Sequence, residues 1–290
     1  MEFSAGAYRS PAAVLLAGLL AVVCLICSGT AEARFLPGLN RVAADKGEIY
    51  RKGCLIGHAR VRSGPCRFGD LKSDKKVVLF GDSHAMQWGP GLIRLAKVRG
   101  WQVIALTRAS CPAALVHVDF HCDAWRRNSL ARIRRMRPGL VVVGSASNGE
   151  AYRIMSGSER LSREASEPLL VDGMARSLRR LARWAKRTVV MRDQAVTPFS
   201  VTACLRVNRA RPGRCGFRPE RTRAFAYEFK ATRRVRGVRL IDPQPMLCPR
   251  GWCRPVEGRY LIYRNHGHLS ATFSREKYAW LGHNLGDPWR

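Results

Sequence analysis

The chain is 290 residues long, 46% hydrophobic and 25% charged, with a formal net charge of +30. That apolar content supports a sizeable core, so the composition excludes an intrinsically disordered chain and points to one domain with a short preface. Arginine supplies most of the 51 basic residues; a GC-rich codon bias accounts for much of that, while a field this positive also attracts anionic headgroups and phosphate- or uronate-bearing polymers. No helix-turn-helix signature and no aromatic-basic repeat accompanies the charge, which argues against specific nucleic-acid binding.

Residues 1–33 form the preface. No charge occurs between Arg9 and Glu32, and Ala13 to Cys27 is almost wholly Ala, Val, Leu and Cys. A bilayer span needs about 20 apolar residues, and shorter cores suit signal peptides. Ala31-Glu32-Ala33 fits a cleavage site, so a cleaved signal, a retained single anchor and the last membrane helix of a larger protein all stay open. Each of them exports the remainder of the chain.

Eight of the ten cysteines lie outside this preface and fall as near neighbours: Cys54 with Cys66, Cys111 with Cys122, Cys204 with Cys215, Cys248 with Cys253. In an oxidising compartment such an even set reads as disulfides, and neighbour pairing is the expected one of 105 connectivities. Zinc is disfavoured, because no CxxC pair is present and the histidines are scattered. No metal or cofactor is expected.

Residues 34–74 read as an irregular, disulfide-tied lead-in wrapping the outside of a domain over 75–290. Val77-Val78-Leu79-Phe80 then forms an unbroken apolar run suited to a strand buried on both faces. Gly81-Asp82-Ser83-His84 follows at once, and a helical pattern through Leu92, Ile93, Leu95, Ala96 and Val98 comes next. Ser83 therefore sits where a strand's carboxyl end meets a helix, the place where open α/β sheets bind ligands and where free amides favour an oxyanion. Locally, a helix-capping role fits Ser83 as well as a nucleophilic one.

Further strands are predicted at Trp101–Thr107, Leu140–Val143, Thr188–Met191 and Val238–Ile241. Helices are predicted from an Asp123 cap through Arg135, from Pro168 through Trp184, and over Pro219–Arg234. Residues 150–167 read as a long mobile loop beside the site, and 242–253 as a disulfide-closed loop. Five strands alternating with helices imply an α/β, doubly wound three-layer sandwich around a central parallel sheet. After strand three, Gly144-Ser145-Ala146-Ser147-Asn148 offers Asn148 as an oxyanion donor beside the Ser83 amide, or as an ordinary loop residue.

Far downstream the chain reads Asn265-His266-Gly267-His268-Leu269-Ser270. Together with the intact Gly81-Asp82-Ser83-His84-Ala85, this element resembles the SGNH/GDSL hydrolase superfamily, closest to the extracytoplasmic SGNH domains associated with acyltransferase-3 membrane proteins. Ser110-Cys111-Pro112, Thr197-Pro198 and Cys204-Leu205 resemble further segments of that group. The likeness covers about Cys54 to the C-terminus and implies a flavodoxin-like SGNH fold. It implies Ser83 as nucleophile and His268 as base, with Gly81, Asp82 and His84 shaping the site.

One position departs from the family pattern. Asn265 stands where the family carries the aspartate that orients the histidine, and an amide accepts a hydrogen bond but does not stabilise an imidazolium. Asp242 is a substitute only if the fold brings it near. The resemblance implies serine esterase or O-acyltransferase activity on acyl groups, acetyl first, of cell-envelope glycans. The implied partners are an acyl donor, a glycan acceptor and a membrane acyltransferase-3 protein acting in trans. The rival is a catalytically degenerate module that binds a wall polymer or assists such a transferase. His266 reads as a polar loop residue.

Overall fold

In a computed structural model, the structure describes Met1 and residues 35–147, 154–219 and 226–290. The sheet is built in chain order from β1 (Leu55–Ile56), β2 (Arg67–Gly69), β3 (Lys76–Gly81), β4 (Gln102–Arg108) and β5 (Leu140–Gly144). A small hairpin, β6 (Met155–Ser156) with β7 (Glu159–Arg160), stands apart from it; β8 (Arg187–Met191) and β9 (Val238–Ile241) complete it. The order across the sheet is β1-β4-β3-β5-β8-β9, with β2 beside β4 as well. All pairings are parallel except β2 with β4.

The five expected strands are thus β3, β4, β5, β8 and β9, each within a residue or two of its predicted bounds. Numbered one to five by chain position, they lie in the order 2-1-3-4-5, whose switch point falls between β3 and β5. The sheet has seven strands rather than about five, because the lead-in contributes β1 and β2 to the outer edge of β4. Every residue of β4 is buried, so that edge is covered instead of being left as an open pairing surface.

Alternation along the strands separates two cores. Val77, Leu79, Val103, Ala105, Leu140 and Val142 face one, together with Trp88 and with Leu92, Leu95, Phe273 and Leu281 from the helices Gly89–Arg99, Ala271–Glu276 and Tyr278–Leu285. Val78, Phe80, Ile104, Leu106, Val141 and Val143 face the other, with Trp125, Ile133, Met174 and Leu178 from Phe120–Met136 and Arg163–Trp184. Phe80 stacks on Trp125 at 5.5 Å between ring centroids. The period-two pattern of the strands is therefore divided between two helix layers, which fixes the register of β3 and with it the position of Ser83.

Several predicted boundaries move. Asp119, not Asp123, caps the helix Phe120–Met136, its carboxylate accepting from the Cys122 N–H at 2.7 Å; Asp123 instead pairs with Arg126 and His117. The helix expected to open at Pro168 opens at Arg163 behind a Ser162 cap and carries Pro168 inside its second turn. Residues 155–160 and 163–167 of the expected 150–167 loop are consequently the β6–β7 hairpin and this helix start, and 150–153 lie outside the described residues. Of the helix expected over Pro219–Arg234, Ala226–Arg233 is observed and residues 220–225 lie outside the described residues. The 242–253 loop contains two short helical turns, Gln244–Leu247 and Pro249–Gly251.

All four neighbouring cysteine pairs are bonded: Cys54–Cys66, Cys111–Cys122, Cys204–Cys215 and Cys248–Cys253. Among the described residues no helix is long and apolar enough to cross a membrane, and no group of ligating side chains forms a metal site. The apolar preface lies outside the described residues.

Candidate active site

Gly81 ends β3 at φ 143°, a conformation that favours glycine. A Cβ there would run into the carbonyl oxygen of Gly144, its partner in β5, and a Cβ on Gly144 would lie 2.9 Å from the Ala85 Cα. The paired glycines let the turn carrying Ser83 settle onto the end of the sheet. Asp82 caps the short helix Ser83–Met86 by accepting from the His84 N–H at 2.8 Å, and its second oxygen accepts from the Ala146 N–H at 3.0 Å. Asp82 is 1% exposed, so its place is that of a clamp joining the ends of β3 and β5.

The late element folds back over this turn as β12 (Tyr263–Asn265) and β13 (His268–Leu269), after the ribbon β10 (Val256–Glu257) with β11 (Tyr260–Leu261). His268 Nε2 lies 2.9 Å from Ser83 Oγ. Its Nδ1 lies 3.0 Å from Asn265 Oδ1, which also accepts from the Gly267 N–H at 3.1 Å. A backbone N–H only donates, so this amide atom is the oxygen and His268 carries its proton on Nδ1. Nε2 is then left with a lone pair directed at the Ser83 hydroxyl. Asn265 itself is exposed.

Two glutamines fix the element from behind. Gln87 accepts from the Leu269 N–H at 2.9 Å and donates to Gln194 at 2.7 Å, and Gln194 donates to the Gly267 carbonyl at 2.6 Å. His266 meets Thr197: its carbonyl accepts from the Thr197 N–H at 2.8 Å, placing the Thr197-Pro198 segment beside the site.

His84 reaches into a buried acidic network. Its Nδ1 is 2.7 Å from Asp193 Oδ1, and Asp193 also accepts from the Ser147 and Gln194 N–H groups, both at 3.0 Å. Behind them Glu228, fully buried, accepts from the Asp193 N–H at 3.0 Å. Burial, reinforced by the Asp193 charge, pushes the Glu228 carboxyl well above its ordinary range and favours its protonated form. Burial alone would lower the His84 imidazole, but the charge and hydrogen bond of Asp193 outweigh it and raise His84 to about 9. His268 moves the other way. Burial, then the positive charges of His84, Arg264 and Lys46, push it well below its ordinary 6.5.

Of the residues singled out in the sequence, the structure brings Gly81, Asp82, Ser83, His84, Asn265 and His268 together. Asn148 lies outside the described residues. Asp242 is no substitute carboxylate: it pairs with Arg192 at 2.5 Å and caps Gln244. Asp193, Gln87 and Gln194 were not identified from the sequence. Asp193 and Gln194 lie two and three residues past the carboxyl end of β8, a position that alone could have marked them.

A family model described as SGNH domain (fused to AT3 domains) matches residues 53–276. Among solved structures, the fold is similar to a lipopolysaccharide acetyltransferase periplasmic domain from Salmonella ser. Paratyphi A, at 14% identity and TM-score 0.60, over 89% of this chain and 98% of that one. A GDSL-like lipase from Bacteroides thetaiotaomicron aligns at 14% identity and TM-score 0.40, over 73% and 89%. A search of curated protein sequences finds no significant match.

Proposed function

The chain belongs to the family of SGNH domains fused to AT3 domains, and from that premise we propose that Ser83, His268 and Asn265 carry out acyl transfer on a cell-envelope glycan. The observation that carries the assignment is the continuous relay from Asn265 Oδ1 through His268 to Ser83 Oγ, with links of 3.0 and 2.9 Å. His268 Nε2 takes the hydroxyl proton as Ser83 Oγ bonds to the acyl carbon, and returns it to the departing alcohol of the donor as that carbon–oxygen bond breaks. A sugar hydroxyl or water then repeats the steps in reverse and frees Ser83. The Ser83 N–H, at a helix start where amides lack an intrahelical acceptor, and Asn148 are the oxyanion donors. His84, held by Asp193, positions the turn and keeps His268 neutral between turnovers.

The acyl group is acetyl, delivered by a membrane acyltransferase-3 protein acting in trans, and the acceptor is an envelope polysaccharide. This extension rests on the AT3 association of the family and on the lipopolysaccharide acetyltransferase activity of the Salmonella protein. Four disulfides accord with an extracytoplasmic place, with residues 1–33 as signal or anchor. A noncatalytic, polymer-binding reading draws on one observation, the amide at Asn265 in place of a carboxylate.

Intact-mass measurement after incubating the disulfide-intact domain with an activated acetyl ester separates the two readings. The expected result is an acetyl adduct in the wild type that Ser83→Ala abolishes. A folded protein that gives no Ser83-dependent adduct and no ester turnover establishes the binding reading.

A further inference from the structure

Between Tyr263, opposite Leu269, and Asn265, opposite His268, the β12–β13 pairing slips by one residue. Arg264 is the extra residue of this bulge, a device that re-aims a side chain and is common beside active sites. It is only 7% exposed, yet among the described residues its side chain forms no hydrogen bond and no ion pair. None of its guanidinium nitrogens is both sealed from solvent and unpartnered, so the head of this buried side chain keeps some contact with water.

The bulge sets Arg264 next to the Asn265–His268 pair of the site. The Arg264 charge lowers both His84 and His268, and its chain neighbour Asn265 holds the base. Tyr50 and then Asp45 favour the Arg264 cation through space, but neither is hydrogen-bonded to it, and Asp45 accepts from the Thr272 N–H at 2.7 Å. Lys46 adds a second positive charge on His268. An almost buried guanidinium with no counterion in hydrogen-bond contact is costly to a fold. Such a group is retained when a ligand completes it, and the planar fork of arginine fits a carboxylate or a phosphate bidentately.

We propose that Arg264 is a substrate-binding residue that pairs with an anionic group of an acidic sugar, a uronate carboxylate or a phosphate ester, beside the ester handled by Ser83. The inference rests on the acyl-transfer reading for the identity of the ester, while the anion site rests on Arg264 itself.

The test uses three acetylated methyl glucosides that differ only at C6: the neutral sugar, the glucuronide and the 6-phosphate. Wild type is expected to favour at least one acidic sugar over the neutral one by about 10- to 100-fold in kcat/KM, chiefly through KM, the worth of a charge-assisted pair. The better acidic sugar identifies the anion. In Arg264→Gln the preference collapses, while Arg236→Gln, which removes an exposed charge, retains it. No preference in wild type, or a preference that survives Arg264→Gln, overturns the inference.

Calorimetric binding of the unacetylated sugars to Ser83→Ala protein keeps the two readings apart. Arg264-dependent binding without ester turnover means that the catalytic reading fails and the anion site stands; turnover without Arg264-dependent discrimination means the reverse. Arg264→Gln is expected to melt no lower than wild type, and a loss of several degrees identifies a structural arginine and overturns the proposal.

Discussion

His84 and His268 lie ring against ring, their centroids 4.6 Å apart and their planes inclined at 43°. Asp193 draws a proton onto His84 and holds it there, so a second proton on His268 meets a like charge at short range. The base is therefore kept neutral well below the pH at which a free imidazole charges. Its acid limb in kcat/KM is expected below pH 6.5. His84→Gln keeps a donor to Asp193 and removes the positive ring, and should move that limb upward by about one pH unit or more. A pH profile of acetyl-ester hydrolysis measures it, and an unmoved limb shows that His84 carries no charge in the working enzyme.

Asn265 fixes the His268 tautomer and leaves the imidazolium without a counter-charge. Asn265→Asp supplies that charge in the same place, 3.0 Å from Nδ1. The acylation rate is expected to rise at least about 10-fold. The ceiling is the roughly 10,000-fold that separates amide from carboxylate in a buried serine triad, and the exposed position of residue 265 keeps the gain well short of it. Burst kinetics read the change, and a variant no faster than wild type shows that the carboxylate would not reach the histidine.

The same two variants show what the sequence could reveal. Val77–Phe80 was legible because a strand buried on both faces is one apolar run, and Ser83 because glycine and serine follow it at once. His268 and Asn265 stood out only through the resemblance. The cysteine pairs were legible from spacing because each closes a loop of a dozen residues or fewer. Asp193 was not: a single acid after a strand has no pattern, and its importance comes from His84, 109 residues earlier in the chain. Nor were β1 and β2, whose two and three residues are too few to carry a period and exist because β4 needs its edge covered.

The His84–Asp193 pair also makes stability depend on pH. The His84 pKa is raised on folding, from 6.5 to about 9, so its contribution is full below pH 6.5 and is lost as pH rises through about 9. For this nearly buried ring the loss amounts to about 3 kcal/mol. His268 has the opposite sign: its folded pKa is depressed, so its contribution is present above pH 6.5 and declines as pH falls below that value. Urea midpoints measured from pH 6 to 10 should fall in wild type and fall less in His84→Gln. Equal slopes in the two proteins would mean that the pair is not ionised.

Gly81 is where the fold and the site meet, since its backbone both ends β3 and starts the turn of Ser83. Gly81→Ala places a methyl group against the Gly144 carbonyl in a backbone conformation at φ 143° that alanine rarely adopts. Neither obstacle is the end of a flexible side chain, so the strand ends must separate. The expected cost is at least about 3 kcal/mol, with Ser83 displaced from His268 in whatever folds. Gly237 provides the comparison: it also has a positive φ, 77°, but a Cβ there meets nothing within 4 Å, so Gly237→Ala should cost only the backbone strain, about 1–2 kcal/mol. Urea denaturation of both variants decides the matter, and equal midpoints would show that the close approach of β3 to β5 does not constrain the turn.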